Sequence, residues 1–235
     1  MTPTADDIRA NVARFFDELN RECARLNRSP DHITVVAVSK TFPAATVSIA
    51  AEAGLTVFGE NRVQEARDKI GKVESATPLS WHLIGHFQTN KAKDAVALFD
   101  LIHSVDRSEA AEALNHRAEL AGKTQDILIQ VNTTAEAQKS GCDPEALDDL
   151  VEAVIRLPHL RLQGLMTIGP FVDDPRPIAG AFQMLRGHFE RLANRPLGNG
   201  AMRHCSMGMT GDWRIALAEG TTMLRIGRAL FGERS

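Results

Sequence analysis

The chain has 235 residues, 43% hydrophobic and 24% charged, with a formal net charge of -3. That length suits one globular domain of the larger kind, and the absence of a dense Lys/Arg run argues against a nucleic-acid surface. No apolar run reaches the roughly 20 residues of a membrane span, and Met1 to Asp7 has neither the basic nor the apolar region of a signal peptide.

Residues 4–27 read as an amphipathic helix with Ile8, Val12, Phe15, Phe16, Leu19 and Leu26 on one face. Asn27-Arg28-Ser29-Pro30 ends it, so residues 1–29 are expected to lie as an added helix against the main body. From residue 33 a strand-then-helix rhythm begins. Strand 33–39 precedes helix 43–53, strand 55–58 precedes helix 61–73, and strand 81–84 precedes helix 89–97. Strand 99–103 is followed by helix 107–121, strand 126–131 by helix 144–156, and strand 160–166 by helix 178–193. Strand 203–206, helix 211–218 and strand 222–226 complete the series. Strands alternating with helices predict a parallel α/β architecture. The count of eight favours a single (β/α)8 TIM barrel over residues 1–235, a fold that typically takes about 250 residues. A doubly wound open sheet is the alternative.

In such a barrel the chemistry collects at the C-terminal ends of the strands. Strand one ends in Ser39-Lys40-Thr41, and Val36, Val38 and Lys40 share one face of an extended chain. A lysine at the end of a buried face is costly without a partner or a task. The exit of strand seven, Ser206-Met207-Gly208-Met209-Thr210-Gly211, sets hydroxyls and glycines just before a helix, a pattern suited to an anion. At strand eight Met223, Arg225 and Gly227 share a face, so Arg225 is expected to point into the barrel while Leu224 and Ile226 face the helices. Taken singly, these are a solvated or ion-paired lysine, an ordinary loop and a structural arginine. Their coincidence at the exits of strands one, seven and eight, neighbours in a closed barrel, puts a site for a phosphate-bearing ligand on an equal footing with those plainer readings.

Other chemistry-bearing residues have plainer readings. His82 and His86 are four apart, but Gly85 and the strand context deny them one helical face, so no metal site is expected. Glu60 and Asp106 read as capping or salt-bridge residues, and Cys205 as packing. Cys23, Cys142 and Cys205 are odd in number and widely spaced, which predicts a reducing cytoplasm rather than a disulfide framework. Tyrosine is absent from the chain.

Several of these stretches resemble the YggS/PROSC family of pyridoxal phosphate (PLP) homeostasis proteins. They are Ala37-Val38-Ser39-Lys40-Thr41, Phe58-Gly59-Glu60-Asn61 with Val63-Gln64-Glu65, and Trp81-His82-Leu83-Ile84-Gly85 with Gln88-Thr89-Asn90-Lys91. Lys139-Ser140-Gly141, Gly164-Leu165-Met166, Ser206-Met207-Gly208-Met209 and Arg225-Ile226-Gly227 with Phe231-Gly232 continue the match in order to about residue 233. The resemblance implies a barrel similar to the N-terminal domain of alanine racemase (PLP fold type III). It also implies that Lys40 holds PLP as an internal aldimine, and that Ser206 and the backbone of Gly227 bind its phosphate. Gly208 and Thr210 would shape that loop, Arg225 would face the pyridine nitrogen, and Asn61 would lie near the ring's other polar edge. Many relatives have a second lysine where this chain has Phe42 and an aromatic residue where it has Arg62. The usual Cys/Ala-Ile-Pro is replaced by Thr167-Ile168-Gly169, while Lys139 is retained as a second basic contact.

The function implied is that of a cytoplasmic, monomeric PLP-binding protein of vitamin B6 homeostasis without catalytic turnover. Its expected partners are PLP, other B6 vitamers and PLP-dependent apoenzymes, with no metal, nucleic acid or membrane. The rival is a PLP-dependent amino-acid racemase. That reaction needs a base on each face of Cα, and with no tyrosine His82, His86 or Cys205 would have to serve. A class I aldolase-like barrel using Lys40 without PLP is a third reading, which leaves Arg225 unexplained.

Overall fold

The structure is a computed structural model and describes residues 3–134 and 140–232. Its strands are β1 (Thr34–Val38), β2 (Val57–Glu60), β3 (Ser80–Leu83), β4 (Leu101–Val105), β5 (Gln125–Gln130), β6 (Leu160–Met166), β7 (His204–Ser206) and β8 (Met223–Ile226). Each pairs in parallel with its sequence neighbour, and β8 returns to β1, closing the barrel. The closing register sets Val36 opposite Arg225, which removes the open sheet from consideration. The helices are α1 (Ala5–Arg25), α2 (Ala44–Glu52), α3 (Val63–Ile70), α4 (Ala92–Leu98), α5 (Ser108–Leu120), α6 (Leu147–Ile155), α7 (Pro175–Ala193), α8 (Trp213–Ala218) and α9 (Arg228–Phe231).

Period-two alternation divides the core. Val36, Val38, Ile84, Leu101, Leu128, Met166 and Met223 cluster inside the barrel. Val35, Ala37, Leu224 and Ile226 belong to the larger layer between strands and helices. The expected facing of β1 and β8 is therefore the one observed. Helix α1 starts at a Thr4–Asp7 capping box and buries Ile8, Val12, Phe15, Leu19 and Cys23. It packs on α2, α8 and α9. No helix among the described residues is long and apolar enough to cross a membrane.

Some boundaries differ from expectation for identifiable reasons. Strand β2 starts at Val57 rather than at residue 55, because Gly54 (φ 99°) and Leu55 still belong to the turn after α2, the Leu55 amide donating to the Ala50 carbonyl. Glu60 is therefore a strand residue, fully buried. Helix α7 begins at Pro175 instead of residue 178, since the first-turn amides of a helix have no intrahelical acceptor and proline costs nothing there. Its cap is Asp174, whose carboxylate accepts the Arg176 amide. The short helix α9, absent from the sequence reading, buries Leu230 and Phe231.

Because α1 shares its core with the barrel, it should unfold with it. Phe15 is 3% exposed and meets Trp213 edge-on, with ring centroids 5.4 Å apart. Phe15→Ala should lower the unfolding free energy by about 3–5 kcal/mol in a single cooperative urea transition. A separate early transition would instead mark α1 as an independent unit.

Candidate functional site

A cavity of about 1020 Å³ opens at the C-terminal ends of the strands. Lys40, Asn61, Thr210, Arg225 and Gly227 all line it. Ser206 and Gly208 do not; Ser206 is fully buried beneath, and Gly208 lies in the loop behind the wall. Lys139 lies outside the described residues. Asn132, at the exit of strand five, also lines the cavity, as do Gln130, Phe171, Asp212 and Arg228, which sequence reasoning passed over. Those at the ends of β5 and β8 were findable as exit residues.

Local geometry places each wall. Val38 lines the cavity below Lys40, and a Cβ on Gly227 would sit 3.6 Å from it. Glycine there keeps the space beside the lysine clear. The exits of β2 and β3 approach so closely that a Cβ on Gly85 would fall 2.2 Å from the Asn61 carbonyl oxygen. Gly85 is thus required for Asn61 to reach the cavity. Gly208 (φ 96°) would carry a Cβ only 2.5 Å from that of Ala216, and its carbonyl accepts the Arg225 amide at 3.0 Å. The loop after β7 is in this way tied to β8. At its crest, Asp212 Oδ1 accepts the Met209 amide at 2.5 Å, which folds Thr210 and Gly211 toward the cavity. Burial raises the pKa of the Asp212 carboxyl.

Arg225 is 4% exposed and forms no salt bridge among the described residues. Its Nη1 donates to Ser206 Oγ at 2.7 Å and its Nη2 to the Thr167 carbonyl at 2.7 Å. Thr167 is itself anchored, its hydroxyl donating to the Val131 carbonyl at 2.8 Å. Burial lowers the Arg225 pKa to about 10, with Asp212 acting against the shift. The guanidinium therefore remains charged at neutral pH.

The contact to Ser206 sets the proton order of a buried chain. Ser206 Oγ lies 3.3 Å from His103 Nδ1, and His103 Nε2 lies 3.1 Å from His82 Nδ1. An arginine can only donate. Among the described residues the buried Ser206 hydroxyl has no acceptor other than His103 Nδ1 for its proton, so it accepts from Arg225 and donates to His103, and His103 in turn donates from Nε2 to His82 Nδ1. This order requires two neutral imidazoles. Burial supplies them, holding His82 down at about 3 and His103 well below its ordinary value, the latter helped by the charge of Arg225. His82 and His86 do not form a pair, since His82 is buried in the chain and His86 lines the cavity. Among the described residues no cluster of potential metal ligands occurs.

The neutral imidazoles have a pH signature. In the unfolded chain each binds a proton near pH ~6.5. The folded pKa of His82 is depressed to about 3, so its contribution is intact above pH 6.5 and is lost as pH falls from there toward 3. Stability should drop by up to about 1.4 kcal/mol per pH unit for His82 in that window, and His103 should add a fall of the same sign. Urea unfolding at pH 7.0 and 5.5 measures the slope, and NMR titration should find both rings neutral at pH 5.5 in the native protein. A native ring titrating near pH 6 would contradict the chain as drawn.

Comparison with known proteins shows the family of this fold. Residues 16–235 match the family model of the alanine racemase N-terminal domain. The pyridoxal phosphate homeostasis protein of Aquifex aeolicus is 38% identical over 223 residues, covering 95% of this chain and 96% of that one. Its counterpart in Pseudomonas aeruginosa is 41% identical over 227 residues, covering 97% and 96%. PipY of Synechococcus elongatus, whose structure has been solved with PLP bound, superposes with a TM-score of 0.79 at 36% identity, over 91% of this chain and 100% of that one. An alanine racemase of Clostridium difficile shares the fold at 14% identity, with a TM-score of 0.68 over 92% of this chain and 56% of that one. On these matches the chain belongs to the pyridoxal phosphate homeostasis protein family.

Proposed function

We propose that the chain binds pyridoxal 5'-phosphate reversibly at the barrel mouth and serves intracellular PLP (vitamin B6) homeostasis as a carrier without catalytic turnover. The observation that carries the reading is the meeting of Lys40 and Arg225 in one cavity. The donor set suits the cofactor: a primary amine for an aldehyde, a buried guanidinium for a ring nitrogen, and the Thr210–Gly211 crest with the Gly227 backbone for a phosphate. Asn61 supplies an amide on the wall formed by the exits of β2 and β3. Ser206, expected as a phosphate ligand, acts in this reading through Arg225, to which its hydroxyl is committed. PLP supplies an electrophilic aldehyde and an electron-withdrawing ring. Lys40 would supply the primary amine that holds this aldehyde by reversible condensation, water leaving on capture and being consumed on release, so one residue would both retain and release the cofactor.

Arg225 favours holding over turnover. It stays protonated and donates to the ring nitrogen without handing over its proton. A neutral ring is a weak electron sink and gives little support to carbanion chemistry. The racemase reading also needs a second base. The chain has no tyrosine, and of His82, His86 and Cys205 only His86 lines the cavity. Three free, buried cysteines support a cytoplasmic setting. In this reading the protein is a monomer whose partners are PLP, other B6 vitamers and recipient PLP-dependent apoenzymes, with no role for nucleic acid or membrane.

Adding PLP to the purified protein should produce a visible absorption band that borohydride bleaches and that Lys40→Ala does not form. No band in the wild type would overturn PLP binding. Lys40-dependent inversion of any of several amino acids in a chirality assay would overturn the carrier reading in favour of the racemase.

A further inference from the structure

Helix α3 reaches beneath Lys40 from outside the cavity. Lys69 Nζ donates to the Ser39 carbonyl at 2.8 Å, to Glu60 Oε1 at 2.7 Å and to Glu65 Oε1 at 2.8 Å. Glu65 Oε1 also accepts the Thr41 amide at 2.5 Å. One Glu–Lys pair, four residues apart on α3, therefore holds both the carbonyl before Lys40 and the amide after it. Thr41 needs such a hold. Its φ of 71° lies in the left-handed region, which β-branched residues adopt only under constraint.

The cluster is poorly explained as a stabilising device. The side chains of Lys69 and Glu60 are 6% and 0% exposed, and Glu60 Oε2 has no hydrogen-bond partner among the described residues. Desolvation raises the Glu60 pKa despite Lys69 and the Ser39 hydroxyl, which donates to Oε1 at 2.7 Å. Buried ion pairs often do no better for stability than apolar side chains of similar volume. What this cluster achieves geometrically is to fix the three-residue backbone turn that carries Lys40.

We propose that Glu65 and Lys69 are positioning residues for Lys40. They lock the Ser39–Thr41 backbone in its strained turn and thereby set how long the lysine retains the cofactor aldehyde. The proposal rests on the PLP-binding reading above, but the clamp itself can be observed without PLP.

The test compares release of PLP to a scavenger in the wild type, Glu65→Ala, Glu65→Gln and Thr41→Gly/Glu65→Ala. Glu65→Ala leaves Lys69 with Glu60 and the Ser39 carbonyl, and should release PLP about tenfold faster, the loss of one charge-assisted hydrogen bond. Its borohydride-trapped label should remain on Lys40. Glu65→Gln keeps an acceptor for the Thr41 amide and should restore slow release. The double variant should recover in part, because glycine enters the left-handed turn without a clamp. Release from Glu65→Ala at the wild-type rate would overturn the proposal. Amide hydrogen exchange in the cofactor-free wild type is the second measurement, and it stands even if Glu65→Ala fails to fold or PLP does not bind. The Thr41 amide should be as protected as those of β1, and rapid exchange there would also overturn the clamp.

Discussion

Pairing of the last strand with the first is the constraint on which the site depends. Lys40 and Arg225 are 185 residues apart in the chain, and no local preference brings them together. The β1–β8 register does so, setting Val36 beside Arg225 and leaving Lys40 four residues on, past the end of β1 at the rim. Because side chains alternate on a strand, a one-residue slip would turn Arg225 into the helix layer. The apolar residues on both sides of β8, Met223 inward and Leu224 and Ile226 outward, resist that slip. Formation of the core and assembly of the site are thus one event.

Closing the barrel around an arginine creates a second requirement. A guanidinium removed from water needs acceptors or a counter-charge. A carboxylate beside it would compensate the charge but would compete for the N–H donors that face the cavity. The chain instead gives Arg225 a hydroxyl and a carbonyl, and passes the polarity down through Ser206, His103 and His82. The donors remain directed, and Asp212 offsets part of the charge at a distance without forming a salt bridge among the described residues. Such a guanidinium suits a neutral acceptor such as a ring nitrogen, and the same property disfavours carbanion chemistry.

Much of this was legible in the sequence because it followed from periodicity. The alternation of Val36, Val38 and Lys40, and of Met223, Arg225 and Gly227, gave the facing of the two critical strands. The rhythm of eight strands gave the barrel. What escaped were features built from contacts distant in sequence or from backbone geometry. The Glu65–Lys69 pair looks like an ordinary surface pair of helix α3 until the fold lays it under Ser39 and Thr41. His103 reads as one more strand residue, and only closure sets it below Ser206. Pro175 looks like a loop signal, although a helix accepts proline in its first turn. Glu60 reads as a salt-bridge residue and is one, paired with Lys69, but the strand expected over 55–58 runs on to residue 60 and carries it into the core.

The central claim is that Lys40, presented by a clamped turn and faced by Arg225, is the covalent anchor for PLP. Peptide mapping by mass spectrometry after borohydride treatment of the PLP-loaded protein tests it most directly. The account predicts a phosphopyridoxyl mass on the peptide containing Lys40, at close to one label per chain. Label distributed among other lysines, with the Lys40 peptide unmodified, would contradict it.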